Sequence, residues 1–186
     1  MSSRNDTSVA IYAGGKSSRF GSPKIKARVN GDEFGFKIIK TLKSAGFANI
    51  SLIGGDIEEA RRWSVDFFED LHPDSGPLGA LLTAMQACKT EFLLTLPCDV
   101  PFIDEDTCQR LCDFPNGVDV LVAHTDSAQW LCSTWRRTTF DAIEREFKSG
   151  ERAIHRVVEK MKYEFLYVSN ELLLNVNEPN QLKHQP

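Results

Sequence analysis

A glycine-rich, positively charged segment at 13–24 (AGGKSSRFGSPK) directly follows a short apolar run. Glycines let backbone N–H groups approach a phosphate, so Gly14 and Gly15 are predicted nucleotide contacts. Arg19 and Lys24 place positive charge where a triphosphate would lie. The spacing fits neither a P-loop nor a Gly-x-Gly-x-x-Gly dinucleotide fingerprint. The segment therefore indicates a phosphate-binding loop of another type, and a plain β-to-α turn with solvated charges is the alternative.

A second candidate for chemistry is Asp99, which follows the apolar run 92–96 between two prolines. A carboxylate in a rigid turn at the end of a strand suits Mg²⁺, which takes one or two protein oxygens plus phosphate oxygens and water. Asn175 or Asn177 could complete that sphere, and both are also candidates for acceptor binding. The alternative is that Asp99 caps the next helix, but Asp104 is better placed to do so.

The elements that must position these residues are short apolar runs alternating with stretches of helical periodicity. This alternation predicts βαβ units, and hence a three-layer α/β/α Rossmann-like sandwich with a mostly parallel sheet. Ligands bind at the carboxyl ends of such strands, so the chemistry is expected in the loops after strands one, three and four. The predicted strands are 9–12, 49–53, 65–68, 92–96, 118–123, 130–135 and 163–168, and the predicted helices are 36–45, 57–63, 78–87, 104–112, 138–147 and 153–160.

Length and composition predict one globular domain over residues 1–186, with 41% hydrophobic and 26% charged residues. A net charge of −4 argues against a general nucleic-acid or membrane-surface binder. No apolar run approaches the roughly 20 residues that a membrane span needs. The five cysteines are scattered and odd in number, which argues against a disulfide framework. This favours the reducing cytoplasm as the compartment of the protein.

Three further segments accompany the loop at 13–24. They are Glu69-Asp70 with the Gly-Pro-Leu turn at 76–78, the Pro-Cys-Asp-Val-Pro segment at 97–101, and the Asn-x-Asn-x-Pro-x-x-Leu ending at 175–182. Together the four resemble the MobA-like nucleotidyltransferases, and among them the molybdenum cofactor guanylyltransferase family. The first segment alone is shared by many sugar-nucleotide enzymes, whereas the four in this order are specific and span nearly the whole chain.

The resemblance implies a Rossmann-like fold that uses GTP and Mg²⁺. It implies transfer of GMP onto the terminal phosphate of molybdopterin, with release of pyrophosphate. Asp99 would bind both nucleotide and Mg²⁺. GTP, molybdopterin and proteins of molybdoenzyme maturation are the expected partners, with neither nucleic acid nor membrane among them. The nucleotide contacts that the resemblance implies are Tyr12, Ala13, Gly14, Lys24, Asp70 and Asp99.

The expected reaction is in-line attack by an acceptor phosphate oxygen on the α-phosphorus. Because that acceptor is already anionic, catalysis consists of positioning and charge neutralisation, which assigns catalytic roles to Arg19, Lys24 and Asp99. Asp70 is the expected acceptor for the N1–H and 2-amino groups of guanine. A buried donor left unpaired costs about 1–3 kcal/mol, enough for roughly tenfold to hundredfold base discrimination.

Several positions depart from the family pattern. Pro23 replaces a common Asp, Gln129 stands where members often have His, and Gly54-Gly55 stands where some members place an Asn that contacts nucleotide. No nucleotide contact is therefore predicted after strand two. Two alternatives remain open: the same chemistry with CTP and molybdopterin or with a sugar phosphate, and a non-catalytic homologue that binds nucleotide or cofactor.

Overall fold

The computed structural model describes residues 4–14 and 23–176, and within them a seven-stranded sheet forms the centre of the protein. The predicted contacts Gly15, Arg19 and Asn177 lie outside the described residues. The strand order is β5-β4-β1-β6-β8-β7-β9. The strands are β1 Thr7–Tyr12, β4 Ile50–Ile53, β5 Asp66–Phe68, β6 Phe92–Pro97, β7 Val120–His124, β8 Ala128–Arg136 and β9 Tyr163–Tyr167, and a separate two-stranded ribbon is formed by β2 Arg28–Val29 and β3 Asp32–Glu33.

Six of the seven strands of this sheet run in the same direction. β1 pairs in parallel with β4 and β6, β4 with β5, and β7 with β9. Only β8 is reversed, because it pairs antiparallel with both β6 and β7. The mostly parallel sheet is confirmed. The carboxyl ends of β1, β4, β5 and β6 consequently meet at one edge, which the start of β8 shares.

Helices cover both faces of the sheet, which gives the three predicted layers. The helices are α1 Phe34–Ser44, α2 Ile57–Trp63, α3 Gly76–Ala87, α4 Glu105–Leu111, α5 Phe140–Lys148 and α6 Ile154–Val158. Alternate residues of β1 face opposite sides: Val9 and Ile11 pack towards α1, α2 and α4, whereas Ala10 and Tyr12 pack towards α3, α5 and α6. Burial on both faces explains the continuous apolar character of β6.

The ribbon formed by β2 and β3 is the element that the sequence analysis missed. Its turn is Asn30-Gly31, with positive φ angles of 52° and 87°. An Asn-Gly pair is a strong hairpin signal, but the flanking strands of two residues each are too short to show an alternating pattern. Among the described residues, none of the helices combines the length and apolarity needed to span a bilayer.

Candidate active site

Lys24 and Asp99 meet at the carboxyl edge of the sheet. The Nζ atom of Lys24 forms an ion pair with Oδ2 of Asp99, and the two side chains are only 20% and 17% exposed. Lys24 belongs to a 3-10 turn, Lys24–Lys26, that is anchored by the buried side chain of Ile25. A Cβ atom on Gly35 of α1 would lie 2.5 Å from Cγ1 of Ile25, so this turn approaches α1 only because residue 35 is glycine.

The backbone of Asp99 is fixed independently of its side chain. Its carbonyl oxygen accepts the N–H of Val176 at 3.1 Å, which brings the exposed Asn175 to the end of β6. The predicted capping residue is also confirmed, because the side chain of Asp104 accepts the N–H of Thr107 at 2.8 Å at the start of α4. The carboxylate of Asp99 is therefore available for chemistry rather than for capping.

The second carboxylate oxygen of Asp99, Oδ1, is buried and has no hydrogen-bond donor among the described residues. A buried anionic oxygen without a donor is costly, and a cation would offset that cost. No cluster of three or more His, Cys, Asp or Glu side chains suited to a metal occurs in residues 4–14 and 23–176. Asp99 thus fits a Mg²⁺ site that takes a single carboxylate from the protein and its other ligands from phosphate and water.

The loops after β1, β4 and β5 meet beside this pair, at Gly14, Gly54 and Asp70. A Cβ atom on Gly54 would lie 3.3 Å from Cα of Gly14 and 3.6 Å from Cβ of Asp70. A Cβ atom on Gly55 would lie 2.9 Å from Cβ of Ala13. Both Gly54 and Gly55 have positive φ angles, 68° and 82°, which L side chains rarely adopt.

The sequence analysis predicted no site role after β4 and so missed this pair of glycines. The signal was nevertheless present, because two consecutive glycines directly after a buried strand indicate a close backbone approach. Here the approach is to the end of β1.

Asp70 is held by its own loop and by α3. Its Oδ1 atom accepts the N–H of His72 at 2.9 Å and lies 3.3 Å from the hydroxyl of Thr83. No other described residue donates to this carboxylate, so Oδ2 remains able to accept. A carboxylate with one anchored oxygen beside a surface lined by glycine backbone is suited to an N–H group of a nucleobase.

The side chain of Tyr12 packs into the core below the site. It is buried on the side of α3, and this burial raises the pKa of its hydroxyl above the ordinary value, so the hydroxyl stays neutral near pH 7. Ala13 continues the chain out of β1, and its N–H donates to the carbonyl of Ile53 at 3.0 Å. Any contact between Tyr12 and a nucleotide would therefore use the backbone.

Cysteine thiols lie behind Asp99 but are not suited to nucleophilic catalysis. Burial, with a smaller effect of the Asp99 carboxylate, raises the pKa of Cys98 to about 12. Burial also raises the pKa of Cys132 on β8. All five cysteines are buried, and none of them forms a disulfide. Because a thiolate is the reactive form, these groups serve as apolar core residues.

The reversed strand β8 carries two tryptophans, of which Trp130 lies towards this edge of the sheet and Trp135 towards the opposite edge. Trp135 is fully buried, and its indole N–H donates to the hydroxyl of Thr95 at 3.2 Å, so it is a core residue. Trp130 is only partly buried and packs against the rings of Tyr163 and Phe165, at centroid distances of 6.4 and 6.2 Å. Trp130 therefore also belongs to an aromatic cluster on the sheet.

Comparison with known proteins identifies the family of the chain. The sequence model of the MobA-like NTP transferase domain matches residues 9–164. A probable molybdenum cofactor guanylyltransferase of Clostridium perfringens is 32% identical over 141 residues, which cover 75% of this chain and 70% of that protein. A second protein of that name, from a Geobacillus species, is 26% identical and covers 95% of this chain and 96% of its own.

The fold also matches a solved structure. The crystal structure of an Aquifex aeolicus protein superposes with a TM-score of 0.80 at 25% identity and covers 95% of both chains. The match of the domain model over most of the sequence, together with the relative at 32% identity, establishes the family. The chain is a member of the MobA-like NTP transferase domain family, and hence a nucleotidyltransferase by family.

Proposed function

We propose that this protein transfers GMP from GTP to the terminal phosphate of molybdopterin, which releases pyrophosphate and forms the guanine dinucleotide form of molybdenum cofactor. The observation that carries the proposal is the ion pair of Lys24 with Asp99 at the same edge of the sheet as Gly14, Gly54 and Asp70. The names of the two bacterial relatives support the choice of GTP and molybdopterin.

The transfer needs a site that binds the triphosphate and orients the acceptor phosphate towards the α-phosphorus. A phosphate oxygen of the acceptor attacks the α-phosphorus, the bond from that phosphorus to the bridging oxygen of the β-phosphate breaks, and pyrophosphate leaves. The acceptor is already anionic, so no side chain has to remove a proton. The ammonium of Lys24 lies where it can offset negative charge on the phosphates, which stabilises the transition state electrostatically.

The role of Asp99 follows from its two oxygens. Oδ2 pairs with Lys24, while Oδ1 is buried without a donor among the described residues. We assign Asp99 to hold Mg²⁺, which when bound would offset charge on the triphosphate and on the pyrophosphate. The N–H of Val176 donates a hydrogen bond to the carbonyl oxygen of Asp99, which keeps the backbone of Asp99 in place for this role.

Selection of the base is assigned to the other end of the site. Oδ2 of Asp70 is suited to accept hydrogen bonds from the N1–H and 2-amino groups of guanine. Gly54 and Gly55 allow the loop after β4 to pack closely against Ala13 and Gly14, which places Asp70 beside the end of β1. This arrangement separates base recognition, after β4 and β5, from phosphate chemistry, after β1 and β6.

A substrate panel tests the proposal. The purified protein is given Mg²⁺ and molybdopterin with GTP, CTP or ATP separately, and GTP with a sugar 1-phosphate, while pyrophosphate release is followed and the product is identified by mass spectrometry. Pyrophosphate and a guanine dinucleotide are expected only from GTP with molybdopterin. Turnover with CTP or with the sugar phosphate would overturn the substrate assignment, and nucleotide binding without any turnover would show a non-catalytic homologue.

A further inference from the structure

Thr83, in the middle of α3, connects this helix to the loop that carries Asp70. Its hydroxyl oxygen lies 3.3 Å from Oδ1 of Asp70 and accepts the N–H of Leu71 at 3.1 Å. A threonine inside a helix commonly bonds the carbonyl four residues earlier, which here is Gly79 at 3.2 Å. The hydroxyl has a single proton, which it shares between the Gly79 carbonyl and Oδ1 of Asp70, while its oxygen accepts the Leu71 N–H in addition. Since the residue is only 2% exposed, water does not replace them readily.

The loop after Asp70 rests on α3, which makes Thr83 its polar attachment point. A Cβ atom on Gly79 would lie 2.9 Å from both Cβ and the carbonyl oxygen of His72, so the loop packs against the bare helix backbone there. The ring of His72 also contacts Phe147 of α5, at a centroid distance of 4.8 Å. This segment is therefore a packed part of the site wall.

The two oxygens of Asp70 consequently differ. Oδ1 has the His72 N–H and the Thr83 hydroxyl within reach, whereas no described residue donates to Oδ2. Hydrogen bonds to one oxygen fix the rotation of the carboxylate and hence the direction in which the other oxygen accepts. Without the Thr83 hydroxyl, only the hydrogen bond from the His72 N–H would restrict the rotation of the carboxylate.

We propose that Thr83 is a positioning residue for base selection, which orients Asp70 so that Oδ2 accepts hydrogen bonds from the amino group of the bound nucleobase. The inference rests on the proposed function in that a nucleoside triphosphate binds at this edge of the sheet. Lys24 and Asp99 are untouched by a change at Thr83. Loss of the hydroxyl should therefore raise KM for the preferred nucleotide and leave kcat nearly unchanged. It should also reduce the ratio by which the protein prefers this nucleotide to others.

The test compares binding of GTP with that of ITP, which lacks the 2-amino group, by equilibrium dialysis. Thr83→Val removes the hydroxyl and keeps the shape, and Thr83→Ser keeps the hydroxyl. Thr107→Val is the matched control, because the Thr107 hydroxyl is buried in α4 without a hydrogen-bond partner among the described residues. The wild type should bind GTP about tenfold or more tightly than ITP, and Thr83→Val should reduce that ratio to about threefold or less.

Thr83→Ser and Thr107→Val should keep the wild-type ratio. The inference would be overturned by an unchanged ratio in Thr83→Val, by an equal loss of affinity for both nucleotides, or by a wild type that prefers GTP to CTP but does not distinguish GTP from ITP. If Thr83→Val does not fold, Thr83→Ala is measured against Thr83→Ser by the same ratio, with thermal unfolding of each variant as the check.

Failure of the proposed function has a different signature. A wild type that binds no nucleotide refutes the proposed function and removes this inference with it. A wild type that prefers CTP corrects only the base. Cytosine also carries an amino group, so Thr83→Val should then narrow the preference for CTP over UTP, and an unchanged preference would overturn the role of Thr83.

Discussion

The ammonium of Lys24 and the carboxylate of Asp99 form a partly buried ion pair although 75 positions separate the two residues in the sequence. The pair joins the loop after β1 to the loop after β6, strands that are hydrogen-bonded neighbours in the sheet. Each group offsets the charge of the other at the mouth of the site. Together they provide the positive group and the carboxylate that the proposed function assigns to a phosphate contact and to Mg²⁺.

Replacing either member of this pair should abolish turnover. Lys24→Ala removes charge that offsets the phosphates, and Asp99→Ala removes the carboxylate assigned to Mg²⁺. Steady-state GTP turnover measures this loss, and because both variants lose it, GTP binding with and without Mg²⁺ distinguishes them: only Asp99→Ala should lose the dependence of binding on the metal. Full activity in either variant would contradict the assignment of these residues.

Asp104→Ala provides the contrasting case. The side chain of Asp104 caps α4 through the N–H of Thr107, so the variant should lose about 1 kcal/mol in the free energy of unfolding. Urea unfolding at pH 7 measures this change. Turnover and its dependence on Mg²⁺ should stay at the wild-type level, and a large loss of activity would show that Asp104 contributes to the site.

Gly55→Ala should disturb both stability and nucleotide binding. Its Cβ would lie 2.9 Å from Cβ and 3.2 Å from the carbonyl oxygen of Ala13, at a φ of 82°. Gly117→Ala is the matched control, because Gly117 has a similar φ of 77° and nothing within 4 Å of its added Cβ. Backbone strain alone should lower the free energy of unfolding of the control by about 1 kcal/mol.

The free energy of unfolding should fall further in Gly55→Ala than in the control, since Ala13 must also move. Nucleotide affinity should fall in Gly55→Ala and stay unchanged in Gly117→Ala, as measured by equilibrium dialysis with GTP. Equal stability losses with intact affinity in both variants would place Gly55 outside the site.

The thiols should resist modification in the folded protein. Burial raises the pKa of Cys98 to about 12, so its thiolate fraction at pH 8 is about one in ten thousand. Reaction with a disulfide reagent at pH 8 should be slow under native conditions and should reach five thiols per chain in denaturant. Rapid reaction of one native thiol at pH 8 would contradict the burial of that cysteine.

The sequence predicted the fold well because its signals are local. The apolar run of β6 and the helical periodicity over residues 36–45 each reflect burial of a short segment. The reversed direction of β8 has no such signal, since a strand has the same side-chain alternation in either direction. The direction of β8 depends on how the chain returns from β7, which only the assembled sheet decides.

The candidate site was predicted in part, for a related reason. Lys24 and Asp99 were named because their residue types suit phosphate and Mg²⁺, and the structure brings them together. The role of Thr83 was not predicted, since one threonine in an apolar helix has no pattern that distinguishes it. Its contact with Asp70 depends on the packing of the loop on α3, which involves residues 13 positions apart.

The candidate site draws its parts from loops that the sheet holds separately. The Lys24–Asp99 pair lies after β1 and β6, while Gly54 and Asp70 lie after β4 and β5. Under the proposed function, a few substitutions on two loops would change which nucleobase is accepted without touching the groups beside the phosphates. Such a division would let one ancestral scaffold diverge into enzymes that keep the same bond-making step and differ in the nucleotide they consume.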